Sequence, residues 1–107
     1  MKKIKIADSV RIGAIDYSVV DADIVIIEDK CNYIGSIDYD NTQINLRCDI
    51  NEQRREETFF HELMHGIFVE AGYLDHEEKL VDNLSKVLYQ VMKDNYFYDE
   101  KSGSKGF

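Results

Sequence analysis

The stretch Phe59-Phe60-His61-Glu62-Leu63-Met64-His65-Gly66, around which the chain is organised, has two histidines four positions apart. Side chains four apart share one face of a helix, so His61 and His65 can bind one metal ion, and His-Glu-x-x-His on a helix is a zinc-binding pattern. At about 100° per residue, the apolar side chains of this helix gather into one stripe. The stripe contains Phe60, Leu63, Met64, Ile67 and Ala71. Because the two histidines flank it, the metal site is predicted at the edge of the core.

Glu62 follows the first histidine directly, which turns its carboxylate away from the metal position. It can still reach a water held by that metal, and this is where a general base of hydrolysis must lie. The alternative is a helix with two histidines that hold no metal. The glutamate between them favours the metal pair, because a purely structural pair has no need of it.

Length and charge limit the class of protein. A chain of 107 residues suits one domain with a modest core. Its formal charge of −8 disfavours direct binding to nucleic-acid phosphates or to an anionic membrane. Cys31 and Cys48 lack the Cys-x-x-Cys spacing of zinc or redox sites, which fits a reducing compartment. Since we find no signal peptide and no stretch able to span a bilayer, we expect a cytoplasmic protein.

Two β-hairpins are predicted before the histidine helix, from short segments that alternate apolar and polar residues. The segments are 5–6, 10–12 and 15–20 for the first hairpin, and 33–39 and 42–47 for the second. Gly13-Ala14 provides the first turn, and Asp40-Asn41 predict a primed turn in the second because both tolerate positive φ. Residues 21–30 fit either a short strand or one helical turn. The second hairpin could hold an extended peptide by strand addition or serve as scaffold only.

The first helix has clear start and stop signals. Asp49 or Asn51 can cap it, and acidic residues follow in its first turns, where they complement the helix dipole. It should run from about Glu52 to Ala71. Gly72 is then the C′ residue, where the chain reverses.

A second helix returns beside the first. Asp75 with Glu78 three residues later makes a capping box for its start. Its apolar stripe is predicted to pack on the first helix and contains Leu80, Leu84, Val87, Leu88 and Val91. Residues 96–107 form a C-terminal extension that ends with the composition of a flexible tail. The predicted fold is therefore α+β, with a small antiparallel sheet of two hairpins packed on two main helices.

A hydrolytic zinc site needs three protein ligands and an open position for water. The candidates for the third ligand follow the histidine helix and are Asp75, His76, Glu77, Glu78 and Asp82. Glu78 as ligand would leave Asp82, four residues later, to orient a histidine through its second ring nitrogen. Helical periodicity alone favours Glu77, because it lies in the stripe of the leucines. The predicted capping box and the partner at Asp82 favour Glu78, which we take as the third ligand with Glu77 as the alternative.

His61-Glu62-Leu63-Met64-His65 together with Glu78-Lys79-Leu80-Val81-Asp82 resembles the ImmA/IrrE-type zinc metallopeptidases, in particular their small relatives encoded by phages and prophages. Further similar stretches are 15–19, 35–39, 84–85 and 88–95. The resemblance implies a minimal zincin-like domain over residues 1–95 and a gluzincin-type site. In that site His61, His65 and Glu78 bind one Zn²⁺ and Glu62 is the base. For larger members it implies cleavage of a repressor or other regulator in the cytoplasm.

Two functions follow as hypotheses. The first is a zinc-dependent metallopeptidase that cleaves a protein or peptide, such as a phage or host regulator in the bacterial cytoplasm. A tyrosine could stabilise its oxyanion, and the candidates are Tyr33, Tyr39, Tyr73 and Tyr89. The second is a non-catalytic, zinc-stabilised acidic protein that binds a regulator. A fourth protein ligand, for instance His76 or Asp75, would close such a site.

Overall fold

The computed structural model describes residues 4–23, 25–27 and 30–97, without the side chains of 26, 27 and 30–32. This part of the chain contains six strands followed by two helices, which are β1 (Ser9–Ile12), β2 (Ile15–Ala22), β3 (Val25–Ile27), β4 (Lys30–Tyr33), β5 (Gly35–Asp38), β6 (Gln43–Arg47), α1 (Glu52–Glu70) and α2 (Glu78–Asp94). The architecture is the expected small α+β fold. Neither helix is long and apolar enough to cross a membrane.

The two predicted hairpins are present, but they join into a mixed sheet. The strand order is β1-β2-β6-β5, and β3 and β4 form a separate two-stranded sheet. Pairing is antiparallel within each hairpin, whereas β2 and β6 run parallel, with Val19 opposite Ile44. A parallel pair needs a long crossover, and the chain from β3 to β5 supplies it. The sheet therefore differs from the purely antiparallel one that was expected.

The first hairpin turns at Gly13-Ala14, as predicted. Residues 5–6 lie outside any strand, and β2 extends further than predicted, to Ala22. For residues 21–30 either a short strand or one helical turn was predicted. Residues 25–27 form the strand β3, so the strand alternative is confirmed for these three residues. Residues 24, 28 and 29 of that segment, and 98–107 of the predicted C-terminal extension, lie outside the described residues.

The loop between β5 and β6 has four residues, because Asp38 pairs with Gln43. The primed two-residue turn predicted at Asp40-Asn41 is therefore wrong, and the residue with positive φ is Thr42, at 50°. The Asp38 carboxylate closes the loop by accepting hydrogen bonds from the backbone N–H of Asn41 at 3.1 Å and from its side-chain amide at 2.8 Å. The loop is therefore stabilised by the acceptor side chain of Asp38, and not by positive φ angles at Asp40 and Asn41.

The predicted ends of α1 are confirmed to within a residue. Asn51 is the N-cap, and its side-chain oxygen accepts a hydrogen bond from the N–H of Arg54 at 2.8 Å. At the other end Gly72 has a φ of 98°, a conformation that favours glycine. The N–H groups of Gly72 and Tyr73 donate to carbonyls in the last turn of α1. This is a Schellman motif, and it turns the chain back toward α2.

The buried face of α1 is wider than the predicted stripe. Its buried residues are Glu56, Thr58, Phe59, Phe60, Glu62 and Gly66. Of the predicted stripe, Phe60 is buried and Leu63 and Met64 are half-buried, whereas Ile67 and Ala71 are exposed. The helix packs on both the sheet and α2, so it buries two sides. The predicted stripe assumed a single buried side of α1, and it therefore assigned Ile67 and Ala71 to the core incorrectly.

The start of α2 differs from the prediction. The helix begins at Glu78 with Glu77 as N-cap, and no side chain caps it, so the capping box at Asp75 is wrong. Glu77 has an extended conformation, and His76 before it contacts both His65 and the carbonyl of Tyr73. These contacts of His76 keep residues 75–77 outside α2.

The core face of α2 also differs from the predicted stripe. Its buried residues are Val81, Ser85 and Tyr89, with Leu88 and Met92 packed against the core. Leu80 and Leu84 are each 43% exposed and Val87 is 60% exposed, so these three members of the stripe face away from the core. The helix is rotated in this way because Tyr89 and Lys93 bond to Glu56 on α1.

A buried polar cluster thus joins the two helices. Glu56 is 2% exposed and accepts hydrogen bonds from the Tyr89 hydroxyl at 2.8 Å and from Lys93 Nζ at 2.5 Å. Burial alone would raise the pKa of Glu56, but the hydrogen bonds from Lys93 and Tyr89 outweigh it and lower that pKa. The charged form of Glu56 is therefore the one that the fold stabilises.

Gly35 of β5 packs tightly against α1. A Cβ added there would overlap Cγ2 of Thr58 and lie 3.5 Å from Cγ of Glu62. The Thr58 side chain cannot turn aside freely, because its hydroxyl donates to the carbonyl of Arg54 at 2.8 Å. We expect Gly35→Ala to lower the free energy of unfolding in urea by about 1–3 kcal/mol. Adding Thr58→Ser should restore most of it, and unchanged stability of the single variant would contradict this packing.

Candidate metal centre

The structure brings His61, His65 and Glu78 together. The histidines lie one turn apart on α1, with ring centroids 5.0 Å apart, and Glu78 is the first residue of α2. One ligand atom from each of the three residues lies within 4.8 Å of the others. The Glu78 carboxylate is 2.7 Å from Nε2 of His61 and 3.1 Å from Nε2 of His65. Glu77, the alternative from periodicity, occupies the N-cap position of α2 and is not in this group.

Each histidine ring has a second polar contact on its outer nitrogen. Nδ1 of His61 lies 3.1 Å from the carboxylate of Asp82, the residue predicted to orient a histidine. Nδ1 of His65 lies 2.8 Å from Nε2 of His76. His76 therefore contacts the side of the His65 ring that faces away from Glu78. Neither His76 nor Asp75 belongs to the three-residue group that the described part of the chain forms.

Glu62 lies beside this group in a buried position. It is 8% exposed, and no other described residue forms a hydrogen bond or ion pair with its carboxylate. Burial raises the pKa of Glu62 to about 8, and the nearby Glu78 carboxylate adds to the rise. Burial also lowers the pKa of His65, which favours its neutral ring. A buried carboxylate without a partner is suited to exchange a proton with a bound molecule.

Two cavities meet at Glu62. The larger, of about 560 Å³, lies along β5 and the loop after it and also reaches His65. The smaller, of about 240 Å³, lies between the start of β5 and the two helices and reaches His61 and Asp82. Because β5 is an edge strand of the sheet, both cavities border backbone that can pair with an added strand. Together they form a cleft that passes the buried carboxylate.

The structure separates the four candidate tyrosines. Tyr39 lines the larger cavity with Glu62 and His65, whereas Tyr33 lines the smaller one. Tyr89 is bonded to Glu56 in the core, and the Tyr73 ring packs edge-on against Phe68. Burial raises the pKa of Tyr39 to about 12, and the carboxylates of Glu62 and Glu78 add to the rise. Tyr39 therefore keeps its hydroxyl proton at neutral pH and can donate it in a hydrogen bond.

Comparison of the chain with known protein families, with curated proteins and with solved structures found no match. The chemistry of the site is therefore inferred from its own side chains. Sequence reasoning identified the residues that meet here, except that it did not anticipate the contact between His76 and His65. The available signal was a third histidine placed shortly after the helix-ending Gly72.

The donor set fits a zinc ion. Two imidazole nitrogens and one carboxylate make a three-ligand set of the kind that hydrolytic zinc sites use. The ionised carboxylates of Asp82 and Glu78 can only accept hydrogen bonds. If the single proton of neutral His61 lies on Nδ1 and is donated to Asp82, the lone pair on Nε2 faces a Glu78 oxygen 2.7 Å away. Two lone pairs this close repel each other, so a cation that both atoms coordinate would stabilise the pair.

Proposed function

We propose that the protein is a zinc-dependent metallopeptidase that hydrolyses peptide bonds. His61, His65 and Glu78 would hold one Zn²⁺, and Glu62 would be the general base. The observation that carries the proposal is the convergence of these three donor groups next to a buried, unpartnered carboxylate in an open cleft. A purely structural cluster has no use for that carboxylate, which costs folding energy to bury.

A bound zinc would lower the pKa of a coordinated water molecule and would polarise the peptide carbonyl. Glu62 takes the proton of the attacking water on its carboxylate and delivers it to the leaving nitrogen. Tyr39 donates a hydrogen bond to the carbonyl oxygen as negative charge develops on it. Asp82 holds the His61 ring by accepting its Nδ1–H.

The proposed substrate is a protein segment in an extended conformation. Such a segment can pair with the edge of β5, which places its side chains in the cavities on either side of Glu62. We further propose that it belongs to a phage or host regulatory protein in the cytoplasm. That assignment, and kinship with ImmA/IrrE-type peptidases, rests on the sequence stretches that resemble this family. Neither nucleic acid nor a membrane is part of the proposal.

The test combines metal analysis with a cleavage assay. Purified protein should contain one equivalent of zinc and cleave members of a quenched fluorescent peptide library. A chelator should abolish cleavage and added zinc should restore it. Zinc binding without cleavage of any peptide or unfolded protein would reject the peptidase and leave the zinc-stabilised binding protein. Protein that binds no divalent metal would reject both.

The two adjacent glutamates at the start of α2 provide a matched pair of variants. Glu78→Gln removes a charged ligand, so we expect zinc affinity to fall by more than the roughly 10–100-fold that loss of an outer contact costs. Glu77→Gln removes the same charge from the N-cap, outside the group of three, and should leave zinc affinity nearly unchanged. Competition with a chromophoric chelator measures both. Equal affinities in wild type and Glu78→Gln would exclude Glu78 as the ligand.

A further inference from the structure

A chain of three polar contacts runs outward from the metal centre through His76. Nδ1 of His65 lies 2.8 Å from Nε2 of His76, and Nδ1 of His76 lies 2.8 Å from the carbonyl oxygen of Tyr73. At the inner end, Nε2 of His65 lies 3.1 Å from the Glu78 carboxylate. Both nitrogens of both rings are therefore in contact with polar groups.

The outer end of this chain determines where the protons lie. A backbone carbonyl can only accept, so Nδ1 of His76 must carry a proton. In the neutral His76 ring, Nε2 then has a lone pair and accepts a hydrogen bond from His65. The proton of neutral His65 accordingly lies on Nδ1. Its Nε2 is left with a lone pair directed at Glu78, which is the form that binds a metal.

The position of the His76 ring is itself fixed by its neighbours. It stacks on Phe68 of α1, with centroids 5.0 Å apart and an angle of 13° between the planes. Tyr73, which provides the carbonyl, is held by the Schellman motif through its N–H bond to the carbonyl of Phe68 at 2.8 Å. The end of α1 thus places both the acceptor for His76 and the aromatic surface under it.

We propose that His76 is a positioning residue of the metal centre, which accepts the Nδ1–H of His65 and presents Nε2 of that ring to the metal. This inference rests on the proposed zinc site. It assigns to His76 the same role toward His65 that Asp82 has toward His61. Two different acceptors, a carboxylate and an imidazole, therefore orient the two metal-binding rings.

Three variants separate this role from a packing role. His76→Phe keeps an aromatic ring for the stack on Phe68 but has no acceptor, so zinc affinity should fall by about 10–100-fold. His76→Gln places an amide oxygen at the end of a side chain of similar reach and should recover part of that loss. Asp75→Asn, in the same loop and outside the group of three, is the control and should bind zinc like wild type. Thermal unfolding of the zinc-free variants checks that each one folds.

A spectroscopic measurement on the zinc-loaded protein tests the protonation pattern directly. Long-range ¹⁵N–¹H spectra should show His65 protonated on Nδ1 in wild type, and this proton should exchange faster with water in His76→Phe. Unchanged zinc affinity in His76→Phe would overturn the inference, as would a metal-bound shift on a His76 nitrogen. Wild-type protein that binds no zinc would reject the proposed function together with the inference, so the two failures are distinguishable.

Discussion

Glu62→Gln is expected to keep zinc and to lower the rate of peptide cleavage by about 10²–10⁴-fold, the usual contribution of a general base. Glutamine has nearly the same shape, so the buried position beside β5 stays filled. Its amide cannot take a proton from water. The loss should appear in kcat, because the side chain acts on the reacting water rather than on the bound peptide.

The measurement compares kcat at equal zinc content, determined on the same samples. Glu52→Gln, at the first position of α1, removes an equal charge from the far end of the helix and is the matched control. Its rate should stay close to that of wild type. Turnover by zinc-loaded Glu62→Gln at the wild-type rate would show that another group is the base.

Lys93→Met is expected to lower the free energy of unfolding by about 3 kcal/mol, the lower end of what breaking a buried ion pair costs. The variant leaves the charge of Glu56, which is 2% exposed, with the Tyr89 hydroxyl and the backbone N–H of Ile4 as its remaining hydrogen-bond donors. We take the lower end because the Lys93 side chain is 13% exposed and thus partly hydrated. Lys79→Met, on the exposed side of the same helix, should change stability by less than about 0.5 kcal/mol.

Urea unfolding at several pH values tests the direction in which the ion pair changes stability with pH. In wild type the lowered pKa of Glu56 contributes stability above its ordinary pKa, and this contribution is lost as the pH falls through the lowered value. In Lys93→Met, burial raises that pKa, so acid neutralises the unpaired charge. The difference between the two proteins should therefore be largest near neutral pH and shrink toward pH ~4. The double variant Glu56→Gln/Lys93→Met should regain stability at pH 7, and a pH-independent difference would contradict the ion pair.

Local signals in the sequence were sufficient to predict α1 and the convergence of His61, His65 and Glu78. A capping side chain at Asn51 and a left-handed glycine at Gly72 act within a few residues, so they locate both helix ends. The spacing of His61 and His65 fixes their common face in any helix. Glu78 and Asp82 share one side of α2 for the same reason, and both meet the histidines.

The features that could not be predicted depend on contacts between distant parts of the chain. The residue pattern of either strand alone does not indicate that β2 and β6 pair in parallel. The rotation of α2 is set by polar bonds to Glu56, and hydropathy assigns those residues to the surface. The delayed start of α2 follows from the bonds of His76, which compete with the local capping preference of Asp75.

The parallel pairing of β2 with β6 also has a kinetic consequence. All of the side chains of the proposed zinc site and their supports lie on α1, α2 and the short loop between them, so their contacts close small loops and can form early in folding. The hairpin of β5 and β6 joins β1 and β2 through the parallel pair, whose partners, such as Ser18 and Gln43, are further apart in the chain than any two of His61, His65 and Glu78. We therefore expect the group of His61, His65 and Glu78 to assemble before the complete sheet that carries β5.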